Sequence, residues 1–383
     1  MIFLDQLTAK RLNGLITEPR AGQKQGWLQA YHTYRDQSNT AHEAALEMAV
    51  AQWNQFIEQF LHEIWDSLMG PVASWLEARN IPRGSEIILM SPGLLSVLPL
   101  QAAKSRDVES RYFIEDWVVS TITSPRALIA VSSRLSSQEA QGKTLLAVTD
   151  PLGDIGETVN PAWPCFSETG RRNITSAANQ FIEELRASHN WSYISFFGHG
   201  LWDVSQPENS HLVMSDGSMV TAEDIGNTDL TSTRMVVLGA CETGLIGTQD
   251  TPDEFIGLPS ALIQSGVSGV AASLWLVDAA STYDLLQRFM KLHCDGISPA
   301  AALRKAQLTF IAGEMDDASS TSATSYHLSR LKTLRPLGPS KTHNEKRVVI
   351  TLGKPKDTKP SEQQIELKRA MPFFWAAFVL IGR

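Results

Sequence analysis

Six short runs in this chain are rich in β-branched, aliphatic and aromatic residues: Ile87 to Met90, Trp117 to Thr123, Leu145 to Thr149, Tyr193 to Phe197, Met235 to Ala240 and Val267 to Trp275. Several are apolar on both faces, and a strand of that kind has to be covered on both. Helix-patterned stretches lie between them, notably Ser176 to Ala187, Thr282 to Leu292 and Pro299 to Ile311. The last opens with Ser298 as N-cap and Pro299 at the first helical position. Strands alternating with helices predict an α/β chain with a mostly parallel central sheet flanked by helices. No internal repeat is evident, which excludes a solenoid.

Before these runs, residues 44–78 place apolar side chains at intervals of three and four, with Pro71 as the one break. The spacing predicts one or two amphipathic helices whose Trp and Phe residues pack into a core. Near the other end, from Gly313 to about Glu366, the composition shifts to Ser, Thr, Pro, Lys and Gly, which reads as a long mobile insertion. The closing PFFWAAFVLIGR suits a buried last strand. The expected organisation is a helical region over 1–80, a first α/β part over 81–190, and a second over 191–383 that carries the insertion at 313–366.

Charge and cysteine usage narrow the function classes. A net charge of −8 gives no basic footprint for phosphates, so nucleic acid is not the expected partner. Between Gly200 and Gln287 stand twelve carboxylates and one cation, Arg234. That imbalance favours a cationic ligand if the segment lines a cleft, and is a solvated acidic face if it does not. Cys165, Cys241 and Cys294 lie far apart without paired spacing, so neither a disulfide framework nor a zinc pair is expected, and a reducing cytoplasm fits. The start carries no secretory-signal pattern, and the most apolar run, 261–280, is too interrupted to span a bilayer.

Two segments carry chemistry. SYISFFGHG, residues 192–200, runs a buried-type strand into Gly198, His199 and Gly200. RMVVLGACETG, residues 234–244, ends a second such strand at Cys241. In open α/β sheets ligands bind outside the carboxyl ends of the strands, so the two side chains converge if the strands are neighbours. A thiol needs a base to become an effective nucleophile at neutral pH, and His199 is the obvious one. Attack on an amide also needs donors for the oxyanion, for which the backbone N–H groups of Gly200 and Cys241 are the candidates.

In order along the chain, FFGHG, VVLGACETG, DEFIGLPSALIQSGVSGVAASLWLVD (253–278), ISPAAALRKAQ (297–307) and PFFWAAFVLIG match one pattern, with SPGLLSVLPLQAA and EDWVVSTITSPRAL upstream. Over about residues 45–383 the chain thereby resembles the CHAT family of bacterial caspase-like proteases, relatives of caspases, separase and gingipains. The resemblance implies a caspase-like three-layer sandwich, a Cys241–His199 dyad, an oxyanion hole from Gly200 and Cys241, and peptide-bond cleavage with neither cofactor nor metal. The chain departs from the caspase Gln-Ala-Cys-x-Gly signature, having Gly239-Ala240-Cys241-Glu242-Thr243, and its histidine lies 42 residues upstream rather than about 50. Caspase preference for aspartate therefore does not carry over.

An acidic segment favours a basic P1 residue. Asp278, where separase-like relatives place a carboxylate for P1 arginine, is the nominated specificity residue; the same position suits an N-cap of the next helix. Glu254 is the alternative acidic wall. The expected function is a cytoplasmic endopeptidase that cleaves a protein partner in bacterial defence or cell death and is activated by a protein or ligand. The competing expectations are a non-enzymatic caspase-fold scaffold or sensor, and a different thiol hydrolase or transferase.

Overall fold

In the computed structural model, eight strands form one sheet in the order β1-β2-β11-β10-β9-β5-β3-β4. The structure describes residues 16, 26–40, 43–91, 93–139, 143–155, 165–167, 170–187, 191–203, 206–245, 257–313 and 370–383. The strands are β1 (Glu86–Leu89), β2 (Val118–Thr121), β3 (Leu145–Thr149), β4 (Arg171–Ile174), β5 (Tyr193–Phe197), β9 (Met235–Gly239), β10 (Gly269–Ser273) and β11 (Phe378–Gly382). Each pairing is parallel except β10 with β11. The last strand therefore joins two parallel blocks of opposite direction. Within the larger block β3 and β5, which flank residue 190, pair over their full length. A second, antiparallel sheet holds β6 (Gly200–Leu201), β7 (His211–Val213) and β8 (Met219–Thr221).

The helices are α1 (Trp27–Thr40), α2 (Glu43–Ile64), α3 (Gly70–Glu77), α4 (Phe113–Asp116), α5 (Pro125–Glu139), α6 (Ala178–Arg186), α7 (Ala222–Gly226), α8 (Leu258–Gln264), α9 (Ala279–Cys294), α10 (Pro299–Ala312) and α11 (Pro372–Trp375). Pro71 does not break the helical region outright. It stands in the first turn of α3, where its missing N–H costs nothing, and a π-helical turn (Trp65–Met69) links α2 to α3. Ser298 caps α10 through a bond from the Ala301 N–H, as its position in the sequence predicts.

The central strands β5, β9, β10 and β11 are buried at every residue, which is why their sequences are apolar on both faces. Their irregular carbonyls need partners as well. Gln101 and Gln307, both buried, donate from Nε2 to the carbonyls of Ala376 and Phe378 and of Trp375 and Phe378, closing the corner between α11 and β11.

One expectation is corrected. Cys165 and Cys294, 129 residues apart in sequence, have Cα atoms 5.6 Å apart and are joined by a disulfide. Sequence spacing carries no trace of this, because the pair is set by where the loop before β4 meets the end of α9. Disulfides persist in oxidising compartments, so the bond bears directly on the expected reducing cytoplasm. The expected insertion at 313–366 lies outside the described residues after Gly313, and so does Glu254. Among the described residues no helix is long and apolar enough to cross a membrane.

Candidate functional site

The register of three adjacent strands sets where His199 and Cys241 lie. Thr149 of β3 pairs with Phe197 of β5, and Phe197 pairs with Gly239 of β9. His199 and Cys241 therefore each lie two residues beyond the aligned carboxyl ends of neighbouring strands, about 4.8 Å apart in the sheet. A bond from the Gly198 N–H to the Gly239 carbonyl, 3.3 Å, continues the pairing past the strand ends. Close approach sets the residue types here. A Cβ at Gly239 would lie 2.3 Å from the Phe197 ring, and one at Gly200 would lie 2.9 Å from the Cys241 carbonyl oxygen.

His199 is 6% exposed and Cys241 is fully buried. The Nε2 of His199 lies 2.9 Å from Oδ1 of Asp154, while its Nδ1 is buried and makes no hydrogen bond among the described residues. A carboxylate accepting from Nε2–H makes Nδ1 the lone-pair nitrogen of the neutral ring. Asp154 is itself held by the loop after β3. Asp150 Oδ1 accepts from the N–H groups of Asp154 and Ile155 at 3.0 and 3.2 Å, and the Asp150 N–H donates to the Phe197 carbonyl at 2.7 Å. Sequence reasoning missed Asp154. The signal that could have found it was the rule that pointed to His199 and Cys241, applied to the carboxyl end of the third strand.

The histidine backbone is fixed from the other side. The Val213 N–H donates to the His199 carbonyl at 3.0 Å, which makes His199 and Val213 a hydrogen-bonded pair of the small sheet. Bonded and non-bonded pairs alternate in antiparallel ladders, so Gly200, opposite Leu212, directs its N–H away from β7.

The turn after Cys241 is tightly bonded. Ser273 Oγ donates to the Ala240 carbonyl at 2.7 Å, and the Gly244 N–H donates to the Ser273 carbonyl at 2.7 Å. Glu242 has φ +59°, a left-handed conformation uncommon outside glycine, and is 1% exposed. Its carboxylate meets α1: Tyr31 Oη donates to Oε1 at 2.5 Å, Arg35 Nε lies 3.4 Å from Oε1, and the Trp202 N–H donates to Oε2 at 3.3 Å. Burial raises the Glu242 carboxyl above the usual carboxylate range, and Arg35, Tyr31 and the Trp202 N–H pull it back. Burial also pushes the Tyr31 hydroxyl well up, with Glu242 adding to it.

Asp278 follows β10 and caps α9, its Oδ2 accepting from the Ser281 N–H at 2.8 Å. The structural half of its expected role is therefore present. His211 and Asp216 bond locally, to the Asn209 carbonyl and the Ser218 N–H. Among the described residues no cluster of His, Cys, Asp and Glu could hold a metal ion.

No curated protein matches the chain significantly. Similar solved structures include the Arg-specific cysteine proteinase gingipain R, at 10% identity and TM-score 0.42, covering 87% of this chain and 66% of that one. The Saccharomyces cerevisiae separase–securin complex matches at 14% identity and TM-score 0.42 over 62% of this chain and 14% of that one. The complex of Porphyromonas gingivalis RgpB pro- and mature domains matches at 11% and 0.43, over 93% and 76%. This chain thus spans less than two thirds of the gingipain R and separase chains named first. The CHAT domain model matches residues 58–383, a range that takes in the whole eight-stranded sheet and the His199 and Cys241 strand ends, and the chain belongs to the CHAT-domain family.

Proposed function

We propose that this chain is a cysteine endopeptidase that cleaves a specific protein partner. The reading is carried by the Phe197–Gly239 register, which puts His199 and Cys241 side by side at paired strand ends. Cys241 Sγ attacks the scissile carbonyl carbon and its proton passes to Nδ1 of His199, the ring nitrogen left open by the bond to Asp154. The N–H groups of Gly200 and Cys241 take the oxyanion. Collapse breaks the C–N bond, the proton on His199 goes to the leaving amine, and water hydrolyses the thioester, returning the thiol. Asp154 orients the imidazole and stabilises it when charged.

Substrate choice follows charge. A basic P1 side chain complements Asp278 and the acidic segment around it, where an aspartate would be repelled. Because Cys241 is fully buried, a protein or ligand partner opens the site, in a setting of bacterial defence or cell death, which is the role the family resemblance suggests. The test is mass-spectrometric mapping of peptides cut in a host lysate by the wild type and by Cys241→Ala. Cuts after Arg or Lys that vanish in the variant support the reading; cuts that persist, or that follow Asp, overturn it.

The burial of Cys241 also supports a second reading, a caspase-fold scaffold or sensor without catalysis. Absence of thiol-probe labelling at Cys241 under every activating condition would favour it.

A further inference from the structure

The family match begins at residue 58, yet the side chains that grip the residue after Cys241 come from α1 (Trp27–Thr40), which precedes it in the chain. Tyr31 and Arg35 are four residues apart and so share one face of α1, from which both reach the Glu242 carboxylate. The same helix is anchored beside the site. Trp27 packs edge-on against Trp275 at 6.0 Å, and Tyr34 Oη donates to the Leu276 carbonyl at 3.4 Å. The Trp275 carbonyl in turn accepts from the Glu242 N–H at 3.5 Å. Helix α1 therefore contacts both the turn that carries Cys241 and the segment that leads to Asp278.

A non-glycine residue in the left-handed region persists only where its surroundings over-determine it. At Glu242 three donors hold the carboxylate, two of them from α1, and the bond to the Trp275 carbonyl holds the backbone N–H. Without Tyr31 and Arg35 a buried carboxylate would keep one backbone N–H, and the turn would relax toward water. The direction of the Cys241 side chain and N–H depends on that turn.

We propose that Tyr31 and Arg35, acting through Glu242, are positioning residues for Cys241, so that α1 is a working part of the catalytic centre. The proposal rests on the reading of Cys241 as nucleophile. It is opposed to an autoinhibitory helix, whose loosening would expose and activate the thiol.

Cys241 is the one cysteine of the three outside the disulfide, so its alkylation by iodoacetamide can be read in the intact protein without any peptide substrate. Tyr31→Phe keeps the ring and removes the hydroxyl. It should slow alkylation and kcat by about tenfold or more, with KM within about twofold. Arg35→Met, on a side chain only part-buried, tests the same link in a variant expected to fold, and should act in the same direction. Glu242→Gln combined with Tyr31→Phe should be no slower than the slower single variant, because both act through one contact. Alkylation and kcat that are unchanged or faster in Arg35→Met and in a folded Tyr31→Phe overturn the proposal. Cleavage that survives Cys241→Ala would sink the peptidase reading alone, leaving the alkylation result to stand by itself.

Discussion

Asp154 Oδ1 and His199 Nε2 lie 2.9 Å apart, which ties the loop after β3 to the imidazole at the end of β5. The Asp154 side chain is 54% exposed, so the pair is screened and its contribution is moderate. Asp154→Asn should lower kcat by about tenfold, roughly 1.4 kcal/mol, with little change in folding stability. Steady-state kinetics beside thermal melts check this; unchanged kcat would remove Asp154 from the site.

Asp278 can be divided into its two roles by one substitution. Asn caps helices as well as Asp does, so Asp278→Asn should leave stability within about 0.5 kcal/mol, whereas Asp278→Ala should cost about 1 kcal/mol. If the charge also reads a basic P1 residue, Asp278→Asn lowers kcat/KM for Arg peptides by about 10- to 100-fold. A melting curve and a P1 peptide panel on the same sample decide the matter.

The Cys165–Cys294 bond closes a long loop, and its removal should cost about 2–5 kcal/mol. Non-reducing peptide mapping should recover the two cysteines in one cross-linked fragment, and Cys165→Ser should unfold at lower denaturant than wild type. Three titratable thiols in freshly isolated, denatured protein, where the pairing leaves one, would refute it.

His293 lies between the Tyr193 hydroxyl, 2.9 Å from Nε2, and the Ile297 carbonyl, 2.8 Å from Nδ1. Burial lowers its pKa. A folded-state value below the unfolded one means that the unfolded chain binds more protons, so stability holds above about pH 6.5 and falls as the pH drops through that value. His32 on α1, lowered by burial and by Arg35, adds in the same direction. Denaturant melts between pH 7.5 and 5 should show a weaker acid slope in His293→Gln than in wild type; equal slopes would exclude the mechanism.

Local pattern was enough for the central strands and the helices that cover them. Leu145–Thr149 and Tyr193–Phe197 have the bounds their sequences predict, because a strand buried on both faces is largely apolar and stops where turn residues such as Asp150 and Gly198 begin. The exposed β4, RRNI, and the three-stranded sheet after His199 lack that pattern, since short strands with a wet face carry little periodicity.

At the site, the residue types and their place at strand ends were legible in FFGHG and GACETG. Which strands are neighbours was not, and β11 parting β2 from β10 is a tertiary fact that separates residues by more than a hundred positions. The links from Asp154 to His199, from Tyr31 and Arg35 to Glu242, and from Cys165 to Cys294 are of the same kind. Hydrophobic periodicity encodes which face of an element is buried, whereas a polar pair across distant elements depends on where packing brings them, so the chain alone named His199 and Cys241 and the fold supplied the residues that hold them.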